Sequence, residues 1–350
     1  MVRLYPIDYC YRSRNQQSCK HQWGVAKFSQ IMVQISSLEI CAGAGGQALG
    51  IEQAGFEPEA LIEIDKDCCN TLSFNRPHWK IIEGDLRDFD ATSYKGIDLL
   101  AGGVPCPPFS KAGKQLGKAD ERDLFPEALR LIDECKPRAV MLENVRGFLD
   151  ASFEAYRFDL KQKLEKMGYV VDWRLLNASD FGVSQLRPRV VILAIQQDLS
   201  DNFTWPKPFG YEPQTVGSLL YDQMASRGWT KVEQWKLKAN NIAPTIVGGS
   251  RKHGGPDLGP TRAKRAWANL GVDGMGIANE PPEPDFIGAP KLTVPMVARL
   301  QGFPDTWRFM GKKTPAYRQV GNAFPPPVAR SVALAIHQCL SHKTVFAVSR

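Results

Sequence analysis

Cys106 stands in Pro105-Cys106-Pro107-Pro108-Phe109-Ser110 at the end of one apolar run, and Glu143-Asn144-Val145 closes the next. A thiolate and a carboxylic acid at the tips of two strands suit attack on, and protonation of, a single heterocycle. A cysteine on its own is most often inert packing. Here prolines bracket the thiol, and Pro105 turns it off the strand toward the edge where open α/β sheets bind ligands. The stretch from Phe109 to Arg122 carries several charges with Gly113 and Gly117, which suits a mobile lid. Glu143 ends an apolar run, so its carboxyl is expected in a partly desolvated cleft, where a raised pKa makes a proton donor. The plainer reading is a surface acid paired with Arg146. Arg187 and Arg189, in Gln185-Leu186-Arg187-Pro188-Arg189, offer guanidinium donors for a carbonyl oxygen or a phosphate, or else form a solvated basic turn.

Upstream, Glu39-Ile40-Cys41-Ala42-Gly43-Ala44-Gly45-Gly46 runs from a strand into a helix. Glycines at such a turn permit a tight bend and close approach of backbone to ligand. Glu63 and Asp65 follow about 20 residues later, at the end of a second strand, where a carboxylate can hold two ribose hydroxyls. Asp85, after a third strand, can accept from an adenine amino group. A glycine-rich turn alone also fits a dinucleotide site or a packing turn. The compressed GAGG spacing argues against a pyrophosphate and for an adenosine cofactor without phosphates, which suggests S-adenosylmethionine.

These residues need a frame. From Gln34 to Ile195 short apolar runs alternate with amphipathic stretches. Strands are expected at 37–41, 59–64, 79–83, 96–102, 139–142, 170–175 and 190–195, with helices through about Ala54 and over 124–135. Repeated βα units imply an α/β fold with a mainly parallel sheet and helices on both faces. Residues 196–290 are rich in Pro, Gly, Trp, Lys and Arg with little periodicity and read as a loop-dominated module. Periodicity returns at 294–301 and in a terminal helix at 325–340. Residues 1–31 lack a clear period and read as a weakly ordered extension, the functional chain starting near Met32.

Composition narrows the class. The chain has 350 residues, 43% hydrophobic and 23% charged, as in ordinary soluble globular proteins. No run reaches the length of a membrane span and no signal-peptide core opens the chain, so a cytoplasmic location and no membrane partner are expected. The eight cysteines form no CxxC pair or zinc spacing, so no metal is expected and the thiols are expected reduced. A net charge of +7 hints at a polyanionic partner.

Taken in order, GAGG, Glu63-Ile64-Asp65, Gly84-Asp85, Pro105-Cys106, Glu143-Asn144-Val145 and Gln185-x-Arg187-x-Arg189 resemble the cytosine-C5 DNA methyltransferase family of bacterial modification-methylase type. Arg299-Leu300-Gln301-Gly302-Phe303-Pro304 and Gln319-Val320-Gly321-Asn322-Ala323 complete a resemblance spanning nearly all of 36–340. It implies a Rossmann-like S-adenosylmethionine-dependent fold with a smaller, irregular target-recognition domain. The catalytic and cofactor domain would span 36–195 plus 316–342, with recognition at 196–315, an extension at 1–35 and a tail at 343–350. Cys106 would attack cytosine C6, Glu143 would protonate or hydrogen-bond N3, Arg189 and Arg187 would serve the catalytic site, and Asn144 would order the thiol loop. The implied cofactor set is Cys41, Ala42, Gly43, Gly45, Gly46, Glu63, Ile64, Asp65, Asp85, Leu86, Leu124, Asn322 and Ala323. Ser110, Lys111, Lys114, Arg251, Lys252 and Arg262 would contact double-stranded DNA around a flipped base. Trp229, Trp235 and Trp267 intersperse the basic residues of the recognition region. Cys41 stands where the family commonly has an adenine-packing Phe, which puts that stacking contact in doubt; Pro107 replaces a common Gln. A monomer working beside a cognate restriction endonuclease in a restriction-modification system is expected. A tRNA cytosine-C5 enzyme and an inactive DNA-binding regulator on the same fold are the alternatives.

Overall fold

The computed structural model describes residues 35–105, 123–249 and 255–341. The expectations for the N-terminal extension, for Cys106, Ser110, Lys111 and Lys114, for Arg251 and Lys252, and for the tail lie outside the described residues.

Seven strands form one sheet in the order β3-β2-β1-β4-β5-β7-β6. They are β1 (Ile35–Ile40), β2 (Phe56–Glu63), β3 (Ile81–Glu83), β4 (Leu99–Gly102), β5 (Ala139–Val145), β6 (Tyr169–Asn177) and β7 (Pro188–Gln196). β1 to β5 pair in parallel, and all four residues of β4 are buried, the continuous apolar run that a strand covered on both faces requires. β7 runs antiparallel to both β5 and β6. The mainly parallel expectation therefore holds for five strands; the link from Asn177 to Pro188 is too short for a crossover helix and turns straight back.

The helices are α1 (Gly46–Gln53), α2 (Lys66–Asn75), α3 (Phe125–Cys135), α4 (Glu154–Lys166), α5 (Val216–Leu219), α6 (Tyr221–Ala225), α7 (Val232–Lys238), α8 (Thr261–Asn269), α9 (Val294–Leu300), α10 (Lys313–Asn322) and α11 (Pro326–Ser341). α3 and α4 cover one sheet face, where Phe125, Leu131, Ile132 and Leu164 pack on Leu100, Val140 and Ile192. α11 covers the other with Val328, Val332 and Ile336 against Leu99, Met141 and Leu193. α1 fits against α11 because its facing residues are glycines. A Cβ on Gly50 would meet Pro326 O at 2.5 Å, and one on Gly46 would meet Phe324 O at 2.2 Å.

Residues 216–300 carry five of the helices and supply most of one apolar cluster. Trp229, Trp235 and Trp267 are buried in that cluster with Val216, Met224, Leu258 and Met296, so they pack the interior and are not open to nucleic acid. The apolar contacts continue into Leu49, Leu72, Trp79 and Trp307 beside α1 and α2.

Candidate active site

β1 and β4 are neighbours whose chains leave in opposite directions, and at such a switch point the carboxyl ends of parallel strands open a crevice. A cleft of about 340 Å³ lies there, within the range of small-molecule sites. β1 contributes Glu39 and the turn after it. Cys41 has φ 51°, Gly43 55° and Gly45 84°, and the reversal brings Ala42 N–H to Ile62 O at 3.1 Å. β2 ends in Glu63, with Ile64 and Asp65 just after it; Asp85 and Leu86 follow β3; Pro105 follows β4; Glu143 lies two residues before the end of β5.

Glu63 is buried and braces the turn, accepting from Gly43 N–H at 2.6 Å and from Asp65 N–H at 2.7 Å. Burial raises its pKa, opposed by those backbone donors. The Gly43 N–H that could cradle a phosphate thus meets a carboxylate instead. With Glu39 and Asp85 on the same walls, the cleft opposes a pyrophosphate, and the dinucleotide reading loses its footing. A phosphate-free adenosine cofactor of net positive charge fits. Nothing lies within 4 Å of where a Gly43 Cβ would sit, so the backbone there is open to a ligand.

Twelve of the thirteen expected cofactor residues line this cleft. Gly45 does not; it caps α1 in the left-handed conformation, with Leu72 and Trp307 over its missing Cβ. Ile64 is 64% exposed there, and with Leu86, Leu124 and Cys41 it supplies apolar walls, Cys41 standing where the family commonly has a Phe. The Cys41 thiol is pushed up to about 12 by burial and by Glu63, so it acts as an apolar surface. Asp85 also accepts from Arg87, by backbone N–H at 3.0 Å and guanidinium at 2.9 Å. Sequence reasoning missed Gln47 and Arg318. Gln47 sits in the first turn of a helix, a position no local signal marks, and Arg318 reaches the cleft from α10, pairing loosely with Asp65 at 3.7 Å.

At the reaction end, Glu143 Oε1 meets Arg189 Nε at 2.7 Å, each side chain 12% exposed. The register that sets Val145 opposite Arg189 carries the pair, because β7 returns antiparallel along β5. Burial pushes the Glu143 carboxyl up; Arg189, then Arg187, pull it back. Asn144 is buried and donates to Val104 O at 2.9 Å, holding the backbone two residues before Cys106. Arg187 is fully buried. Its guanidinium donates to Ile246 O at 2.6 Å, Gly321 O at 2.8 Å and Ala323 O at 3.0 Å. That geometry withdraws it from substrate and makes it a tie between the 246 segment and the end of α10. Asn322 lines the cleft while donating to Gly249 O at 3.2 Å. Arg262 is exposed near the start of α8. Among the described residues no group of three or more His, Cys, Asp or Glu could hold a metal ion, and no helix is long and apolar enough to cross a membrane.

The sheet order with its antiparallel last pair, and the cleft at its switch point, define a Rossmann-like methyltransferase. The family model for C-5 cytosine-specific DNA methylase matches residues 35–338. The Type II methyltransferase M.NgoMIV of Neisseria gonorrhoeae is 55% identical over 311 residues, covering 88% of this chain and 99% of the relative. The Type II methyltransferase M.NaeI of Lentzea aerocolonigenes is 56% identical over 316 residues, covering 89% and 76%. Among solved structures, a mutant DNMT2 of Spodoptera frugiperda shares the fold with a TM-score of 0.61 at 18% identity, covering 87% of this chain and 99% of that one. The chain belongs to the C-5 cytosine-specific DNA methylase family and is a DNA (cytosine-5-)-methyltransferase.

Proposed function

We propose that the protein methylates C5 of a cytosine flipped out of a specific duplex DNA sequence, using S-adenosylmethionine held in the cleft at the β1–β4 switch point. The observation that carries this is Glu143, paired with Arg189 and lining that cleft together with Pro105, the residue before Cys106. Glu63 would hold the ribose, Asp85 the adenine edge, Ile64, Leu86 and Leu124 its faces, and Gly43, Asn322 and Ala323 the amino-acid end. When bound, the cofactor supplies an electrophilic methyl group.

Cytosine C5 is a weak nucleophile, so the protein must push electrons into the ring. The Cys106 thiolate forms a bond to C6, and the displaced electron pair is drawn toward N3, where Glu143 donates its proton. Arg189 holds the Glu143 carboxyl in place and offers a guanidinium to the cytosine O2. After C5 has gained its substituent, the C5 proton leaves, its electron pair expels the thiolate from C6, and N3 gives its proton back to Glu143 as the ring is restored. Asn144 fixes the entry to the thiol segment through Val104 O. A base inside a duplex cannot reach these groups, so flipping is required, at a cost of a few kcal/mol.

Residues 36–195 with 316–342 are the catalytic part, and 196–315 the part that reads the DNA. Ser110, Lys111, Lys114, Arg251, Lys252 and Arg262 are the proposed phosphate and groove contacts. The relatives named as Type II methyltransferases suggest a modification enzyme paired with a restriction endonuclease, working as a monomer in the cytoplasm.

Bisulfite sequencing of DNA from cells expressing the protein reads the product directly: methylated cytosine within one recurrent sequence. Cys106→Ser should lower methylation by more than about 10⁴-fold while leaving DNA binding within about threefold. Near-normal turnover would reject the thiol as nucleophile, and methylation of tRNA but not of duplex DNA would reject the substrate.

A further inference from the structure

Asp123 is a buried acid, 9% exposed, that neither lines the cofactor cleft nor takes part in the reaction. Its carboxylate is held from two sides. The Tyr156 hydroxyl donates to it, 2.7 Å from Oδ1 and 2.8 Å from Oδ2, and the Phe125 N–H donates to Oδ1 at 3.1 Å. The Phe125 N–H is one of the donors at the start of α3 that no helical carbonyl meets. The hydroxyl faces a charged acceptor, a bond roughly twice as strong as a neutral one.

Where the bond sits gives it a use. Leu124, the next residue after Asp123, donates its N–H to Pro105 O at 3.3 Å, and both Leu124 and Pro105 line the cleft. Cys106 is one peptide bond beyond that carbonyl. Tyr156 lies in the first turn of α4, which is laced to the chain leaving β5. Arg157 donates to Asp150 O at 2.9 Å, and the Tyr156 ring meets Phe153 and Phe125 edge-on, with centroids 6.2 and 5.9 Å apart. The surroundings of the thiol are thus tied to β5 twice. Asn144 holds Val104 O directly, and the chain after β5 holds Leu124 through Tyr156 and Asp123. The same strand carries Glu143.

Resting on the reading of Cys106 as the nucleophile, we propose that Tyr156 and Asp123 are positioning residues for the thiol. Their bond keeps Leu124 against the Pro105 carbonyl and so sets where Cys106 stands relative to the Glu143 carboxyl when C6 is attacked. Neither side chain lines the cleft; both act through Leu124. Losing the bond therefore slows the thiol step and leaves the binding of cofactor and DNA as it was.

The thiol step can be read apart from methyl transfer, as tritium released from duplex DNA labelled at cytosine C5 with no methyl donor present. Thiolate addition to C6 lets C5 take a proton from water; loss of the tritium and expulsion of the thiolate then restore the ring. Tyr156→Phe, which lacks one oxygen, should release tritium about 10–100-fold more slowly than the wild type, and single-turnover methyl transfer should slow by a similar factor. Dissociation constants for duplex DNA and for S-adenosylhomocysteine should change by less than about twofold. Asp123→Asn, which keeps an acceptor for the hydroxyl, should retain more of the rate than Asp123→Ala. Adding Tyr156→Phe to Asp123→Ala should cost little more, because the two share one bond. If Asp123→Ala folds poorly, Tyr156→Phe decides alone. Tritium release by Tyr156→Phe within about twofold of the wild type, or a loss lying in either dissociation constant, would overturn the assignment and leave the pair a brace between α3 and α4. If the wild type releases no tritium, or Cys106→Ser releases it as fast, the reading of Cys106 falls and this assignment with it.

Discussion

At the scale of single residues the site is a set of carboxyls distinguished by what surrounds them. Glu143 is buried against Arg189, so its proton is held more tightly than in water while a guanidinium keeps the group aligned. Glu143→Gln keeps the shape but cannot deliver a proton, and kcat should fall about 10²–10⁴-fold with the cofactor dissociation constant changed less than about threefold, measured by tritiated methyl transfer and by calorimetry. Glu39 has no cation beside it: burial raises its pKa, and the neighbouring Glu63 raises it further, against the Ala48 N–H. The folded protein thus binds this proton more tightly than the unfolded chain. The stability it contributes is fully present below the unfolded value near pH ~4.3 and is lost as pH rises through the raised folded value. Glu39→Gln, neutral at every pH, should accordingly melt higher than the wild type at pH 8, the gap closing toward pH 4. A gap that widened toward acid would contradict the sign.

At the scale of elements, two short connections decide what the side chains can do. The turn from β1 to α1 combines an open glycine with packed ones. Gly43→Ala puts a methyl group toward the cleft at φ 55°, so it should weaken cofactor binding at least tenfold with a loss of about 1–2 kcal/mol in stability. Gly50→Ala would drive a methyl group to within 2.5 Å of Pro326 O between α1 and α11 and should destabilise by about 1–3 kcal/mol or more with cofactor affinity less affected. Thermal melts and calorimetry on both proteins separate the two effects. The second connection is the Gln185–Arg189 segment. Gln185 donates to Leu300 O at 3.3 Å and accepts from Ile246 N–H at 2.9 Å, and Arg187 ties Ile246 to Gly321 and Ala323. Strand alternation alone would set the two arginines on one face; Arg187 differs because it precedes β7 and turns to the Ile246, Gly321 and Ala323 carbonyls, while Arg189, inside the strand, meets the Glu143 carboxylate. Read as a string, the two arginines look equivalent; the pairing of β7 gives them different work.

Across the whole molecule, the net charge of +7 matters through where the cations lie. Arg262 is exposed, whereas Lys264, in the same helix, is paired with Asp257 at 2.8 Å. Duplex affinity should fall linearly on a logarithmic salt scale, and Arg262→Ala should flatten the slope by about 0.9, the release from one phosphate contact. A slope unchanged within error would remove Arg262 from the interface.

The strands, the glycine turn and the acids at strand ends were legible in the sequence because burial on both faces writes continuous apolar runs, and a strand-to-helix bend needs residues tolerant of positive φ. The family followed from the order of motifs, a property of the chain alone. Three things were not legible. Trp229, Trp235 and Trp267 were seen only to intersperse the basic residues of the recognition region, yet they are core, since residues from 216 to 300 share burial without a common period. Arg187 read as a substrate contact, yet long-range carbonyls claim it. Gln47 carried no mark at all, because its side chain is set by Met141 O, 94 residues away on β5. The sequence by itself determined which chemical groups the protein has and the order in which its elements come. Only the tertiary structure decided which of those groups line the cleft and which are spent on holding the fold, because partners distant in the chain settle that.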